Sequence, residues 1–142
     1  ALPGIEADVG RIRQILHNLI RNSIEALESS KQKEGCIELS VSGTTQHGIG
    51  LVEIVVADNG PGFQSGSINQ VFDPYVTTKP KGTGLGLAIV KKLVEEHAGT
   101  IEAENRESGG AVIRIHLPVN EAAREAMLAM LPRRTEKRRE RA

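Results

Sequence analysis

Three short stretches combine residue types and spacings that could do chemistry: Asn18 with Asn22, the run DNGPGF at 58–63, and the run GTGLGL at 82–87. Asn18 and Asn22 are four residues apart, so in a helix both side chains leave one stripe. A carboxamide oxygen there can ligate Mg²⁺, a hard cation that takes oxygen ligands and usually bridges to substrate phosphates. The alternative is a pair of surface or cap-like asparagines. In DNGPGF, Asp58 can accept a hydrogen bond from an exocyclic amine, while Gly60 and Gly62 let the backbone pass close to a flat ring. Acceptor plus glycines suits adenine, although a plain turn would use the same residues.

In the third run, Gly82, Gly84 and Gly86, interleaved with Thr83, Leu85 and Leu87, stand immediately before a helical pattern. Backbone N–H groups at a helix start, with the helix dipole behind them, attract phosphate. A dinucleotide fingerprint would follow a short strand, but here TTKPK precedes the glycines, and the Gly-Lys-Ser/Thr ending of a P-loop is missing. Between the two glycine runs lies VFDPYVTTKPK, and all the aromatics of the chain, Phe63, Phe72 and Tyr75, fall at or inside this segment. Thr77, Thr78, Lys79 and Lys81 could make charge-assisted contacts to a triphosphate from a lid, or be simply solvated. Phe72 and Tyr75 are expected to pack rather than stack on a base.

These groups need elements to hold them. Beyond Asp8, a plausible cap, Ile12, Ile15, Leu16, Leu19, Ile20 and Leu27 recur on one face of a first helix running to about Leu27. Residues 36–41 and 51–57 read as two strands of a hairpin. The stretch 58–83, rich in glycine and proline, reads as irregular with a short helix around 67–71. A helix over 85–97, stopped at Gly99, strands over 100–104 and 111–117, and an amphipathic helix over 121–131 complete the order. The expected fold is an α/β two-layer sandwich, helices packed on one face of a mixed β-sheet. Residues 1–120 would form the folded body and 121–142 a C-terminal helix and basic tail.

The 142-residue chain fits one core, with 39% hydrophobic and 25% charged residues and no apolar run near the roughly 20 residues of a membrane span. One cysteine, Cys36, excludes an intramolecular disulfide, so a reducing cytoplasm is the expected setting, whether or not a longer parent is anchored to a membrane. The formal net charge is zero, but the final RRTEKRRERA carries six basic and two acidic side chains, leaving a mildly acidic body. A nucleic-acid binder would need a basic face with aromatic platforms on that body. Nucleic acid is therefore not an expected partner.

Taken in order, the stretches resemble the nucleotide-binding family shared by sensor histidine kinases, DNA gyrase B subunits, heat-shock chaperone ATPases and mismatch-repair ATPases. QILHNLIRNSIEAL is similar to that family's asparagine box, DNGPGF to its first glycine box, VFDPYVTTK to its phenylalanine box and GTGLGLAIVKKLVEEHAGTIEAEN to its second glycine box. The similarity spans 8–118, and the wording PYVTTKPKGTGLGLAIV most resembles sensor kinases of the nitrogen-regulation type. The resemblance implies a Bergerat-type fold, Mg²⁺ on Asn22, adenine on Asp58 with Gly60 and Gly62, and phosphates along Gly82, Thr83, Gly84, Leu85, Gly86 and Leu87 with Thr77, Thr78 and Lys79. Asn18 stands where hydrolysing relatives place a glutamate that activates water.

The implied function is that of the ATP-binding part of a protein-histidine kinase. Such a domain binds Mg-ATP and donates the γ-phosphate to a histidine on a separate dimerisation domain of the same parent, with a response regulator downstream. Alone it is expected to be monomeric. The rivals are a self-contained ATPase of the same superfamily and a non-catalytic nucleotide-sensing module or serine kinase. Three features depart from the family pattern: Ala26 stands where many sensor kinases carry an aromatic, Ala111 and Val112 follow Gly110 where relatives often carry a threonine, and His17, His47, His97 and His116 all lack the phosphoacceptor context. His97, after two glutamates, reads as a helix cap or surface residue.

Overall fold

The computed structural model describes residues 9–29, 34–64, 66, 68–73 and 86–130. The apolar periodicity of the first segment becomes α1, Val9–Ser29, whose Ile15 and Leu19 are fully buried. Two strands follow, β1 (Ile37–Gln46) and β2 (Ile49–Asp58), then a single 3₁₀ turn at Ile68–Gln70. Helix α2 (Gly86–Glu96), strands β3 (Thr100–Asn105) and β4 (Ala111–Pro118), and helix α3 (Glu121–Met130) complete the order.

The sheet order is β1-β2-β4-β3. Strand alternation puts Val52, Ile54 and Val56 of β2 and Ile113, Ile115 and Leu117 of β4 on one face. There they meet Ile15 and Leu19 of α1 and Val90, Leu93 and Val94 of α2 in one core. The α/β sandwich expected from the sequence is therefore the fold. Its pairings among the described residues are antiparallel throughout, where a mixed sheet was expected. The reason is topological: β2 and β3, joined through α2, do run parallel, but β4 inserts between them and pairs antiparallel with both. Helix α3, capped by Asn120 Oδ1 accepting from the Ala123 N–H at 2.8 Å, packs on Ile49 and Leu51. Those residues alternate with the core positions of β2, so α3 touches the sheet's other face at one end.

That other face is polar. Arg114 of β4 pairs across the strands with Glu104 and lies 3.8 Å from Glu53, which also sits 2.8 Å from Nε2 of the buried His116. The hydrogen bond to Glu104 raises the Arg114 guanidinium above its usual value against a smaller opposing effect of burial. Cross-strand charge pairs of this kind fix register more than they add stability.

Two turns depart from the sequence expectation. The hairpin strands extend to Gln46 and Ile49 because His47 and Gly48, at φ 52° and 78°, make a two-residue turn whose twist matches the strands. At the end of α2 the left-handed residue is Ala98 (φ 59°), not Gly99. The Gly99 N–H reaches Val94 O at 2.9 Å and the Ala98 N–H reaches Glu95 O at 3.0 Å, a Schellman cap. His97 adds a bond from Nδ1 to Leu93 O at 2.7 Å, the first of its two expected readings, cap or surface residue, and since a carbonyl only accepts, Nδ1 carries the proton. Gly99 is needed for space instead, since a Cβ there would lie 2.4 Å from His116 O and 2.8 Å from Leu117 Cδ2. Gly99→Ala should therefore destabilise by about 1–3 kcal/mol, whereas Ala98→Gly should stabilise by about 0.5–1 kcal/mol. Urea unfolding of both variants distinguishes a spatial from a conformational need for glycine at this cap.

Candidate functional site

One end of the sandwich gathers the described residues singled out from the sequence. Arg11, near the start of α1, forms an ion pair with Glu96 at the end of α2, so the two helices run antiparallel. Eleven helical residues span about 16 Å, which brings Gly86 at the start of α2 abreast of the C-terminal half of α1. Asn18 and Asn22 lie on that half, both half-buried, on the flank of the stripe that carries Ile15 and Leu19. Leu87, one residue into α2, packs its side chain on the core and fixes the helix start there.

The end of β2 arrives at the same place. A Cβ on Gly60 would lie 3.5 Å from Leu27 Cδ2 and 3.7 Å from the Ala26 carbonyl carbon, so the loop after β2 rests directly on the last turns of α1. Ala26 is one turn beyond Asn22, and that loop therefore begins within about one helical pitch, roughly 5 Å along the axis, of the Asn22 position. Ala26, where many sensor kinases carry an aromatic, meets this loop through its backbone carbonyl.

Asp58 is the last residue of β2, on the helix-facing side, and only 2% exposed. Its Oδ1 accepts from the Gly60 N–H at 2.9 Å and from the Ala111 N–H at 3.3 Å. Two backbone donors on one oxygen hold the carboxylate in a single orientation. Among the described residues no sealed side-chain nitrogen or oxygen lacks a partner. With Oδ1 held by two N–H groups, the direction of the second oxygen of Asp58 is fixed as well.

The loop itself is held by side chains rather than by a strand ladder. Asn59 Oδ1 accepts from the Cys36 N–H at 2.8 Å while its Nδ2 donates to Glu34 O at 2.9 Å, tying the loop to the segment that enters β1. Asn105, the last residue of β3, accepts from the Phe63 N–H at 2.7 Å and donates to Phe63 O at 2.8 Å. Gly62, at φ 76°, passes so near that a Cβ would lie 2.7 Å from Asn105 Oδ1. Phe63 and Phe72 pack their rings against the core, as expected of Phe72 from the sequence.

The structure thus sets Gly60, in one loop with Asp58 and Gly62, against α1 one turn beyond Asn22, and places Gly86 and Leu87 at the start of α2, which runs antiparallel to the helix that carries Asn18 and Asn22. Thr77, Thr78, Lys79, Gly82, Thr83, Gly84 and Leu85, with Tyr75 and Lys81, lie outside the described residues. Sequence reasoning passed over Asn59 and Asn105 as individual residues. Their one signal was position, an asparagine just after β2 and another at the end of β3, which marks a turn as readily as a clamp.

The architecture and this site define a class. Residues 7–121 match the histidine kinase-, DNA gyrase B- and HSP90-like ATPase family, and the chain belongs to it. Its relatives are sensor histidine kinases: it is 42% identical over 120 residues to the sensor histidine kinase ZraS of Klebsiella oxytoca, covering 84% of this chain and 24% of that protein. It is 43% identical over 114 residues to a putative NtrY-like sensor histidine kinase of Rickettsia bellii, covering 80% of this chain and 18% of the relative. Among solved structures, the catalytic domain of the histidine kinase ThkA superposes with a TM-score of 0.70 at 36% identity, over 84% of this chain and 73% of that one. Full-length ShkA, in complex with AMPPNP, superposes at 0.64 with 32% identity, over 82% of this chain and 23% of that one. The sensor-kinase resemblance carried by the four boxes is borne out. The chain spans a quarter or less of the length of these curated relatives.

Proposed function

We propose that this domain binds Mg·ATP at the open end of the sandwich and presents the γ-phosphate to a histidine on a separate dimerisation domain of its parent kinase. The observation that carries the reading is the buried Asp58 carboxylate, oriented by the Gly60 and Ala111 N–H groups beside the asparagine stripe of α1. The carboxylate accepts from the exocyclic amine of adenine, and the loop from Asn59 to Phe63 forms one wall of the base site. Thr77, Thr78, Lys79 and the run Gly82, Thr83, Gly84, Leu85 contact the phosphates ahead of the α2 start, where the helix dipole favours anions.

Among the described residues no three His, Cys, Asp or Glu side chains converge on a metal cage. An amide oxygen from Asn22 fits the ion that needs the fewest protein ligands here, Mg²⁺ shared with phosphates and water. When bound, Mg²⁺ supplies charge neutralisation of the phosphates. Asn18 offers no carboxylate to deprotonate water, so the residues of this end hold and orient the nucleotide for transfer to an imidazole instead of to solvent. His97 caps α2 and His116 faces the opposite side of the sheet, and His17 and His47, though exposed, lack the phosphoacceptor sequence context. In this reading the acceptor histidine lies on a second protein segment, and a response regulator receives the phosphate next.

The ShkA complex with AMPPNP, a relative of the same fold, supports the choice of nucleotide. We place the domain in the cytoplasm, on the side of the response regulator, whether or not its parent is anchored. Incubation with γ-labelled ATP, Mg²⁺ and the parent's dimerisation domain should label that domain on an acid-labile, alkali-stable phosphohistidine. Rapid release of free phosphate with no labelled protein would instead favour a self-contained ATPase.

A further inference from the structure

The turn between β3 and β4 touches both ends of the loop that forms the proposed base site. At the far end, the Asn105 amide bonds both the N–H and the C=O of Phe63 across 42 positions of sequence, as a neighbouring strand's peptide would. At the near end, Arg106 Nη1 donates to Asp58 O at 3.4 Å, and Gly110 (φ 105°) lies so close that a Cβ would stand 1.9 Å from that same oxygen. Between these points the loop has no ladder of its own: Gly60 is fastened to the Asp58 carboxylate and Gly62 passes against Asn105 Oδ1. The near part of the wall is thus set by the Gly60 N–H on the Asp58 carboxylate and by Asn59, and its far part, at Gly62 and Phe63, by Asn105 from outside the loop.

The geometry points to Asn105 as a positioning residue that fixes the base wall relative to Asp58 and so sets discrimination between adenine and guanine nucleotides. This rests on the nucleotide reading above and adds a residue that touches no ligand. Asn105 is itself exposed, so its two bonds are made in competition with water, and they persist because both amide atoms meet one peptide at once. A base held between a fixed acceptor and a fixed wall is selected by its edge. A loosened wall lets the base slide, and the edge contact is averaged over poses.

The test measures dissociation constants of non-hydrolysable ATP and GTP analogues with Mg²⁺, together with thermal midpoints, for the native chain, Asn105→Ala and Asn105→Asp. Asn105→Ala is expected to weaken the ATP analogue about tenfold with much less effect on the GTP analogue, narrowing the preference. Asn105→Asp keeps an acceptor for the Phe63 N–H and loses the donor to its C=O, so it should fall between the two. It also provides the decisive comparison should the alanine variant fail to fold. A lowered midpoint with an unchanged ATP-to-GTP ratio in both folded variants, or in Asn105→Asp alone, would overturn the positioning role while leaving the nucleotide site standing. No binding by the native chain would sink the nucleotide reading, and this inference with it.

Discussion

Asp58→Asn should cost on the order of 100-fold in affinity for an ATP analogue, because a charged acceptor facing the adenine amine is worth roughly 1.5–3 kcal/mol and an amide N–H in its place opposes that amine. The fold should survive. The substituted amide retains one oxygen to accept from the Gly60 and Ala111 N–H groups, the two bonds that orient Asp58 now. The loss should also be selective: guanine presents an acceptor oxygen where adenine presents its amine, so GTP-analogue affinity should fall far less or improve. Competition binding with both analogues, alongside urea unfolding, checks the result. Equal losses for both nucleotides with a matching fall in stability would mean that Asp58 serves the architecture of the β2 end and not the base.

Asn22→Ala should act on a different quantity. It removes the one amide oxygen proposed to reach Mg²⁺, so the gain in nucleotide affinity on adding the metal should disappear while metal-free binding changes little. Transfer of phosphate to the parent's dimerisation domain should fall on the order of 1,000-fold, the scale seen when a single stabilising contact to a reacting group is removed. Alanine is the better helix former at this half-buried position, which offsets part of what the lost amide contributes to stability, and urea unfolding measures the balance. Comparing Kd with and without Mg²⁺ against the transfer rate separates the two effects. A variant that transfers phosphate at the native rate would remove Asn22 from the metal site.

Much of the fold and part of the site were legible before the structure. The stripe Ile12, Ile15, Leu16, Leu19 marks α1, and the β-branched runs mark the centres of β2 and β4, because burial on one or both faces leaves an apolar record. The outer half of β1 left none. Its residues Ser42 to Gln46 are mostly exposed and polar on an edge strand, and only the positive φ of His47 and Gly48 makes the hairpin tight. The α2 cap misled for a related reason: glycine signals both a left-handed φ and a close approach, and at Gly99 it is the approach that rules.

At the end of β2, type and spacing marked Asp58 and its glycines as a turn with a close backbone approach, which is the geometry found there. Asn59 and Asn105 were not marked, since their work is to bond main chain that is remote in sequence, and neither end of such a bond has a side-chain signature. The insertion of β4 between β2 and β3 was hidden for a similar reason. Strand order is decided by which edges meet, and periodicity within a strand records only its faces.

Calorimetric titration of the native chain with a non-hydrolysable ATP analogue, in the presence and absence of Mg²⁺, tests the central claim most directly. A single site whose affinity rises with Mg²⁺ is the expected result. A folded chain that takes up no nucleotide under either condition would contradict the nucleotide site at this end of the sandwich, and would leave a domain with the family's fold and without its chemistry.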